Sequence, residues 1–206
     1  FKDKEIAVPF RADMPDIVMQ ALIKKSGLDI KNDFKLQYVA TPVDAMQMLI
    51  LRRADHALLA EPAISIALRK TGSFPVKLIA PDLYRSINLQ EEWGRLYKIE
   101  AKIPQAGLAI IGDTNGKEEL ISKVLAEYDK SLAWYKNNKE EASKLVVKTL
   151  PMLEEKGLAD SIEYVRFENI SAIKSKKDLE FFFDILMQND SKLIGGKLPN
   201  EDFYYK

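Results

Sequence analysis

The chain has no cysteine, which excludes a disulfide framework, thiolate chemistry and cysteine-ligated zinc. It has one histidine, so two-histidine metal motifs are excluded and His56 is the only candidate for a histidine base. No apolar run approaches the roughly 18 residues of a membrane span. Lys+Arg and Asp+Glu are both 31, a formal net charge of zero, which argues against a globally basic nucleic-acid binder. The motifs G-x-S-x-G, Walker A, G-x-G-x-x-G and H-E-x-x-H are absent. Gly195-Gly196-Lys197 has no following Ser or Thr and no strand–helix context, so it is not read as a phosphate loop. The chain opens Phe1-Lys2-Asp3-Lys4-Glu5, with neither Met nor a signal-peptide pattern, and the expectation is a chain cut from something longer.

What is present is an ordinary globular composition: 47% of the 206 residues are apolar, enough for a core and incompatible with wholesale disorder. Residues 1–104 carry a net charge of +3 and residues 105–206 a net of −3, an asymmetry too small to name a partner.

Apolar periodicity predicts a regular alternation in the first half. Ile6 to Phe10 reads as a buried strand, followed by a helix with Asp13 as N-cap, Pro15 in its first turn and Gly27 as its stop. Phe34 to Ala40 alternates as a second strand. Thr41-Pro42-Val43-Asp44 has the cap, proline and early acid of a helix start. Ala54 to Ala60 is a third expected strand, Glu61-Pro62 opens a third helix, and Val76 to Ala80 is a fourth expected strand. Near-continuous apolar strands alternating with helices predict a parallel sheet covered on both faces, a doubly wound α/β unit over residues 1–104.

Residues 105–206 read differently. Ala106 to Ile111 is one more expected strand, followed by a long helix over 117–137 with a buried stripe of Leu120, Ile121, Val124, Leu125, Tyr128, Leu132 and Tyr135. Further helices are expected at 139–149, 151–158 and 176–189, with Trp134 and the Phe181–Phe183 cluster as helix core. A single strand cannot satisfy its own edges, so this half lacks sheet partners.

Open α/β sheets bind ligands beyond the carboxyl ends of their strands. Here those ends deliver Phe10, Arg11, Ala12, Asp13 and Met14 from the first strand, Thr41, Pro42 and Val43 from the second, and Ala60 and Glu61 from the third. Arg11 precedes a helix N-terminus and reads as an anion clamp or as a solvated loop arginine. Asp13 reads as a helix cap or a ligand contact. Glu61 reads as a receiver of a cationic group or as a first-turn acid. His56 falls inside a strand, away from the positions where catalytic residues gather. Met14, Met19, Met46 and Met48 fall at helical spacing and read mostly as core. Trp93, in an expected long loop, reads as an anchor for that loop or as an aromatic wall over a ligand.

Five segments, taken in order, carry a resemblance. They are Lys4-Glu5-Ile6-Ala7-Val8-Pro9; Thr41-Pro42-Val43-Asp44-Ala45 followed by Leu49 to Asp55; Leu58-Leu59-Ala60-Glu61-Pro62; Ile103-Pro104-Gln105-Ala106-Gly107-Leu108; and Gly195-Gly196-Lys197-Leu198-Pro199 with Phe203-Tyr204-Tyr205. Together they resemble the periplasmic substrate-binding proteins of ABC transporters, in the nitrate/sulfonate/taurine group, which also includes binders of thiamine-pyrimidine precursors. Arg53 departs from the glycine common at that turn in relatives.

The resemblance implies a type II periplasmic-binding-protein-like fold. In it, residues 1–104 form lobe two, and residues 105–206 form the returning strand and C-terminal helices of lobe one, without that lobe's N-terminal part. It implies a non-enzymatic receptor that closes two lobes on a small solute, an anion being one option, and docks on a membrane permease. It implies no cofactor, no metal, no nucleic-acid partner and a monomer, in a periplasmic or extracytoplasmic setting, with a lipoprotein anchor on the full-length protein as one option. Gln105 would sit near the hinge, with the strand-end residues above facing the cleft. Two other readings use similar scaffolds. One is a pyrimidine-synthase-like enzyme consuming His56; the other is the effector-binding domain of a LysR-type regulator, which requires strands spread through both halves.

Overall fold

The computed structural model describes residues 1–205. Its sheet is small and entirely parallel, with β1 (Glu5–Pro9) between β2 (Lys35–Val39) and β3 (His56–Ala57) in the order β2-β1-β3. β1 pairs with β2 from Glu5↔Lys35 to Pro9↔Val39, and with β3 at Ile6↔His56 and Ala7↔Ala57.

The alternation of side chains along β1 decides how the sheet is covered. Ile6 and Val8 pack with Met19 of α1 (Met14–Lys25) on one face. Ala7 packs with Ala45 of α2 (Pro42–Ile50) and with Ala54 on the other. α3 (Ala63–Gly72) follows β3. α1 also turns a second stripe, Val18 and Leu22, into the main core, where it meets Trp93 of α4 (Leu89–Tyr97), Ile103, and Phe182 and Ile185 of α8 (Ala172–Asn189). The expected loop around Trp93 is therefore a helix, and Trp93, 1% exposed, is the anchor of its segment. The remaining helices are α5 (Glu118–Asn137), α6 (Lys139–Thr149) and α7 (Glu155–Ser161).

α7 packs on α3 at a close approach. A Cβ at Gly157 would stand 2.7 Å from Ile66 Cγ1 and 2.9 Å from Ile66 Cα. Arg69 Nη2 pairs with Asp160 Oδ2 at 2.6 Å across the same contact. The C-terminal aromatic segment folds back on α8: Tyr204 is buried, its hydroxyl lies 3.3 Å from Glu180 Oε1, and Ile173 N–H donates to the Tyr205 carbonyl at 3.2 Å.

Four expectations are corrected. The third strand is two residues long rather than seven, because it has only β1 for a neighbour; after Leu58 N–H donates to the Ala7 carbonyl at 2.9 Å the chain leaves the ladder. Val76 to Ala80 is not a strand. Val76–Leu78 is a 3₁₀ turn closed by Leu78 N–H on the Pro75 carbonyl at 3.1 Å and Ile79 N–H on the Val76 carbonyl at 3.0 Å, and Leu78 and Ile79 are exposed. The free edge of β3 is too short to pair it. Ala106 to Ile111 is irregular and exposed, Ile111 to 96%, since among the described residues no strand lies beside it. The stripe expected to be buried on α5 is mostly open: Ile121 is buried, Leu125, Leu132 and Tyr135 are half-buried, and Leu120, Val124 and Tyr128 are exposed, as is Trp134 at 39%. Its 3.6 periodicity is present, but no layer covers it.

Candidate functional site at the carboxyl edge of the sheet

Because the three strands run parallel, their carboxyl ends open at one edge, with the β1–α1 loop between the other two. Phe10 to Met14 and Thr41 to Val43 follow the first two strand ends directly, while Ala60 and Glu61 come a few residues after the end of β3. Phe10, Arg11, Ala12, Asp13, Thr41, Val43 and Ala60 are exposed there, and Met14, Pro42 and Glu61 are half-buried. Gln105 is exposed on the irregular run after Ile103.

The β1–α1 loop is tightly turned. Phe10 and Ala12 both adopt left-handed backbone angles, φ 53° and 63°, which side-chain-bearing residues rarely adopt. Asp13 N–H closes the turn on the Phe10 carbonyl at 3.0 Å, and Phe10 N–H is anchored to the Val39 carbonyl at 3.2 Å. Asp16, fully buried, supports the loop from below. Its Oδ2 accepts Ala12 N–H at 2.8 Å, and its Oδ1 accepts Gln20 Nε2 at 2.9 Å and the Tyr38 hydroxyl at 3.3 Å. Burial raises the Tyr38 phenol above its ordinary value, and the neighbouring Asp16 charge adds to the rise. The Arg11 guanidinium lies 4.9 Å from the centre of the Tyr38 ring, so it stacks on an aromatic face as well as facing solvent.

A carboxylate binds a backbone N–H at the start of each helix that opens at this edge. On α1, Asp13 Oδ1 accepts Met14 N–H at 2.7 Å. On α2, Thr41 and Asp44 form a reciprocal capping box: Asp44 N–H donates to Thr41 Oγ1 at 3.2 Å and Thr41 N–H donates to Asp44 Oδ2 at 3.0 Å. At α3, Glu61 Oε2 accepts Ser65 N–H at 3.1 Å, while Glu61 Oε1 accepts Arg85 Nη2 at 2.7 Å. Arg85 also donates to Ser65 Oγ at 2.8 Å, and its Cζ lies 3.5 Å from the Tyr164 ring centre.

Asp13 thus takes its capping role, and Glu61 is bound to the protein's own groups through both oxygens. Asp16, Tyr38, Gln20 and Arg85 are the residues that sequence reasoning missed. An acid at the third helical position was a readable signal for Asp16. Arg85 had none, since its partner lies 24 residues away.

His56 lies on β3 opposite Ile6, its ring 4.1 Å from that of Phe1, with its imidazole held below the ordinary value by burial. It stands outside the strand-end group. Among the described residues no strand follows Ala57, so the even spread of strands required of a LysR-type domain is not found. Two surface depressions lie away from this edge: one is lined by Lys130, Ser131, Trp134 and Tyr135, the other by residues including Trp93, Lys102 and Asp178. Among the described residues, no three His, Asp or Glu side chains are grouped to hold a metal ion, and no helix is long and apolar enough to cross a membrane.

No protein-family model matches this sequence, and no curated protein is significantly similar to it. One solved structure that resembles it is a crystal structure described as an ABC transporter from Parabacteroides distasonis. The similarity has a TM-score of 0.71 at 21% identity, and covers 100% of this chain and 67% of that one. The likeness is one of fold: an α/β chain with a small parallel sheet and many helices.

Proposed function

We propose that this chain is a solute-binding component of an ABC-type importer, holding a small molecule at the carboxyl edge of its parallel sheet. One observation carries the reading. Three helix-opening loops converge at that edge in a chain that matches, along its whole length, the fold of a protein described as an ABC transporter. The nitrate/sulfonate/taurine resemblance of the sequence supports the same reading at the finer level.

In this reading the ligand contacts come from Phe10, Arg11, Thr41, Val43 and Ala60, all exposed at the edge, with Gln105 near the hinge. Residues 1–104 act as one lobe, and residues 105–206 contribute to a second lobe completed by polypeptide outside these 206 residues. Two features support that division: the exposure of both the α5 stripe and the run Ala106 to Ile111, and the third of the solved relative's length that this chain does not span. The partners are then a small solute and a membrane permease, for a monomer working outside the cytoplasm, without catalysis or cofactor.

The test is thermal stabilisation by a panel of small solutes. A ligand at a hundredfold excess over its dissociation constant stabilises by about 2.7 kcal/mol, a shift of several degrees. At least one solute is expected to raise the melting temperature, and Thr41→Ala and Val43→Asp are each expected to diminish that shift. Absence of stabilisation by every solute, in the chain and in a longer version with both lobes, would sink the proposal.

A further inference from the structure

The run from Pro81 to Ile87 joins the 3₁₀ turn at Val76–Leu78 to α4 and has no regular structure. Among the described residues its backbone makes no hydrogen bond. Its hydrogen bonds, its ion pair and its aromatic contact all belong to one side chain, Arg85. Tyr84 and Ile87 are exposed, and only Pro81 and Leu83 are half-buried. Few buried apolar contacts and an unpaired backbone are what let a segment open apart from the rest of a fold.

Arg85 is placed as the catch of this run. Its Nη2 donates to Glu61 Oε1 at 2.7 Å and to Ser65 Oγ at 2.8 Å. Its Cζ lies 3.5 Å from the ring centre of Tyr164, on the 3₁₀ turn Ile162–Tyr164 that follows α7. A planar guanidinium can bond through its edge and stack through its face, and here it does both, against two parts of the chain distant in sequence. The Glu61 side chain behind it is only 9% exposed. While the catch holds, one of the acids at the carboxyl edge of the sheet is closed to solvent.

We propose that residues 81–87 are a strap that opens as a local unit, that Arg85 is its catch, and that opening uncovers Glu61 and Ser65. The strap is then a gate on the loop after β3. What the gate admits rests on the receptor reading; the gate itself does not, and the two are tested separately.

The experiment is proteolysis of the native chain by trypsin across a series of urea concentrations, with fragments assigned by mass. Trypsin takes an arginine side chain into its own acidic pocket, so it cuts the Arg85–Ser86 bond only when the catch is released. The expected cut has a rate nearly independent of urea below the unfolding transition, because a local opening exposes little new surface. Glu61→Gln is expected to raise that rate about tenfold or more, through loss of a charge-assisted bond. Tyr164→Leu, at an exposed ring, should raise it by a smaller factor while leaving both hydrogen bonds in place. A cut that appears only in step with global unfolding overturns the strap. A wild-type rate in both variants overturns Arg85 as its catch. Neither result touches the receptor reading, which the solute screen decides.

Discussion

Arg85 and Glu61, 24 residues apart in sequence, meet at 2.7 Å and lock the segment before α4 onto the mouth of α3. The Glu61 side chain is nearly buried, and its second oxygen holds Ser65 N–H, so the pair ties the first turn of α3 to a long-range contact. Removing one partner leaves the other short of a charge-assisted bond, which costs about 1.5–3 kcal/mol. Glu61→Gln and Arg85→Ala are each expected to lower unfolding free energy in urea by that amount. The double variant should lose clearly less than the sum of the two. Strict additivity would show that the side chains are not coupled in solution.

Trp93 and Trp134 both stand on helices, and the structure gives them opposite weights. Trp93 is packed among Val18, Leu22, Ile103, Phe182 and Ile185, with the Tyr97 ring 4.7 Å away. Trp93→Ala is expected to cost about 3–5 kcal/mol. Trp134→Ala, on the open face of α5, should stay within about 0.5 kcal/mol. Denaturation followed by circular dichroism compares the two directly.

Two glycines are required by close approach. A Cβ on Gly94 would lie 2.9 Å from Ala101 Cα, and one on Gly157 would meet Ile66 as described. Alanine is the better helix former by about 1 kcal/mol, yet Gly94→Ala and Gly157→Ala are each expected to destabilise by about 1–3 kcal/mol. Gly72, also helical and with nothing within 4 Å of its added Cβ, is the control. Gly72→Ala should be neutral or stabilising by up to about 1 kcal/mol. Thermal melts of the three variants rank them.

The Thr41–Asp44 box stands at the surface, Thr41 exposed and Asp44 half-buried, so its loss should be felt locally. Thr41→Ala is expected to cost about 1 kcal/mol and to speed hydrogen exchange in the first turn of α2 before other helices are affected. Uniform exchange acceleration across the chain would contradict a local cap.

His56 should make stability depend on pH on the acid side. Burial holds its imidazole below the ordinary value, so the folded chain binds the proton less well than the unfolded chain. The stabilisation is present above about pH 6.5 and is lost as pH falls through the lower folded value. The melting temperature of wild type should therefore fall more steeply between about pH 7 and 5 than that of His56→Gln. Parallel curves would show that the histidine titrates alike in both states.

Local chemistry was well read from the residues. Asp13 caps α1, Pro15 stands in its first turn, Thr41, Pro42 and Asp44 open α2, and Gly27 takes the left-handed angle after α1. These contacts span four residues or fewer, so their signals are printed side by side. Val76 to Ala80 and Ala106 to Ile111 have strand-like sequences and form no strand, because pairing is a property of a neighbour and not of the segment. The same holds for the α5 stripe: its period was legible, but what covers it was not.

The candidate edge divides along the same line. The alternation of apolar strands and capped helices determined that the loops after the first three strands would open at the ends of a parallel sheet, though not that the third strand stops at Ala57 rather than Ala60. Only the tertiary structure decided that the Met14, Ala12, Thr41 and Ser65 amides are bound by Asp13, Asp16, Asp44 and Glu61 respectively, and that Arg85 is drawn to Glu61. Sequence shows which groups can donate and accept. Which of them remain free depends on angles and distances set when separate parts of the chain pack together.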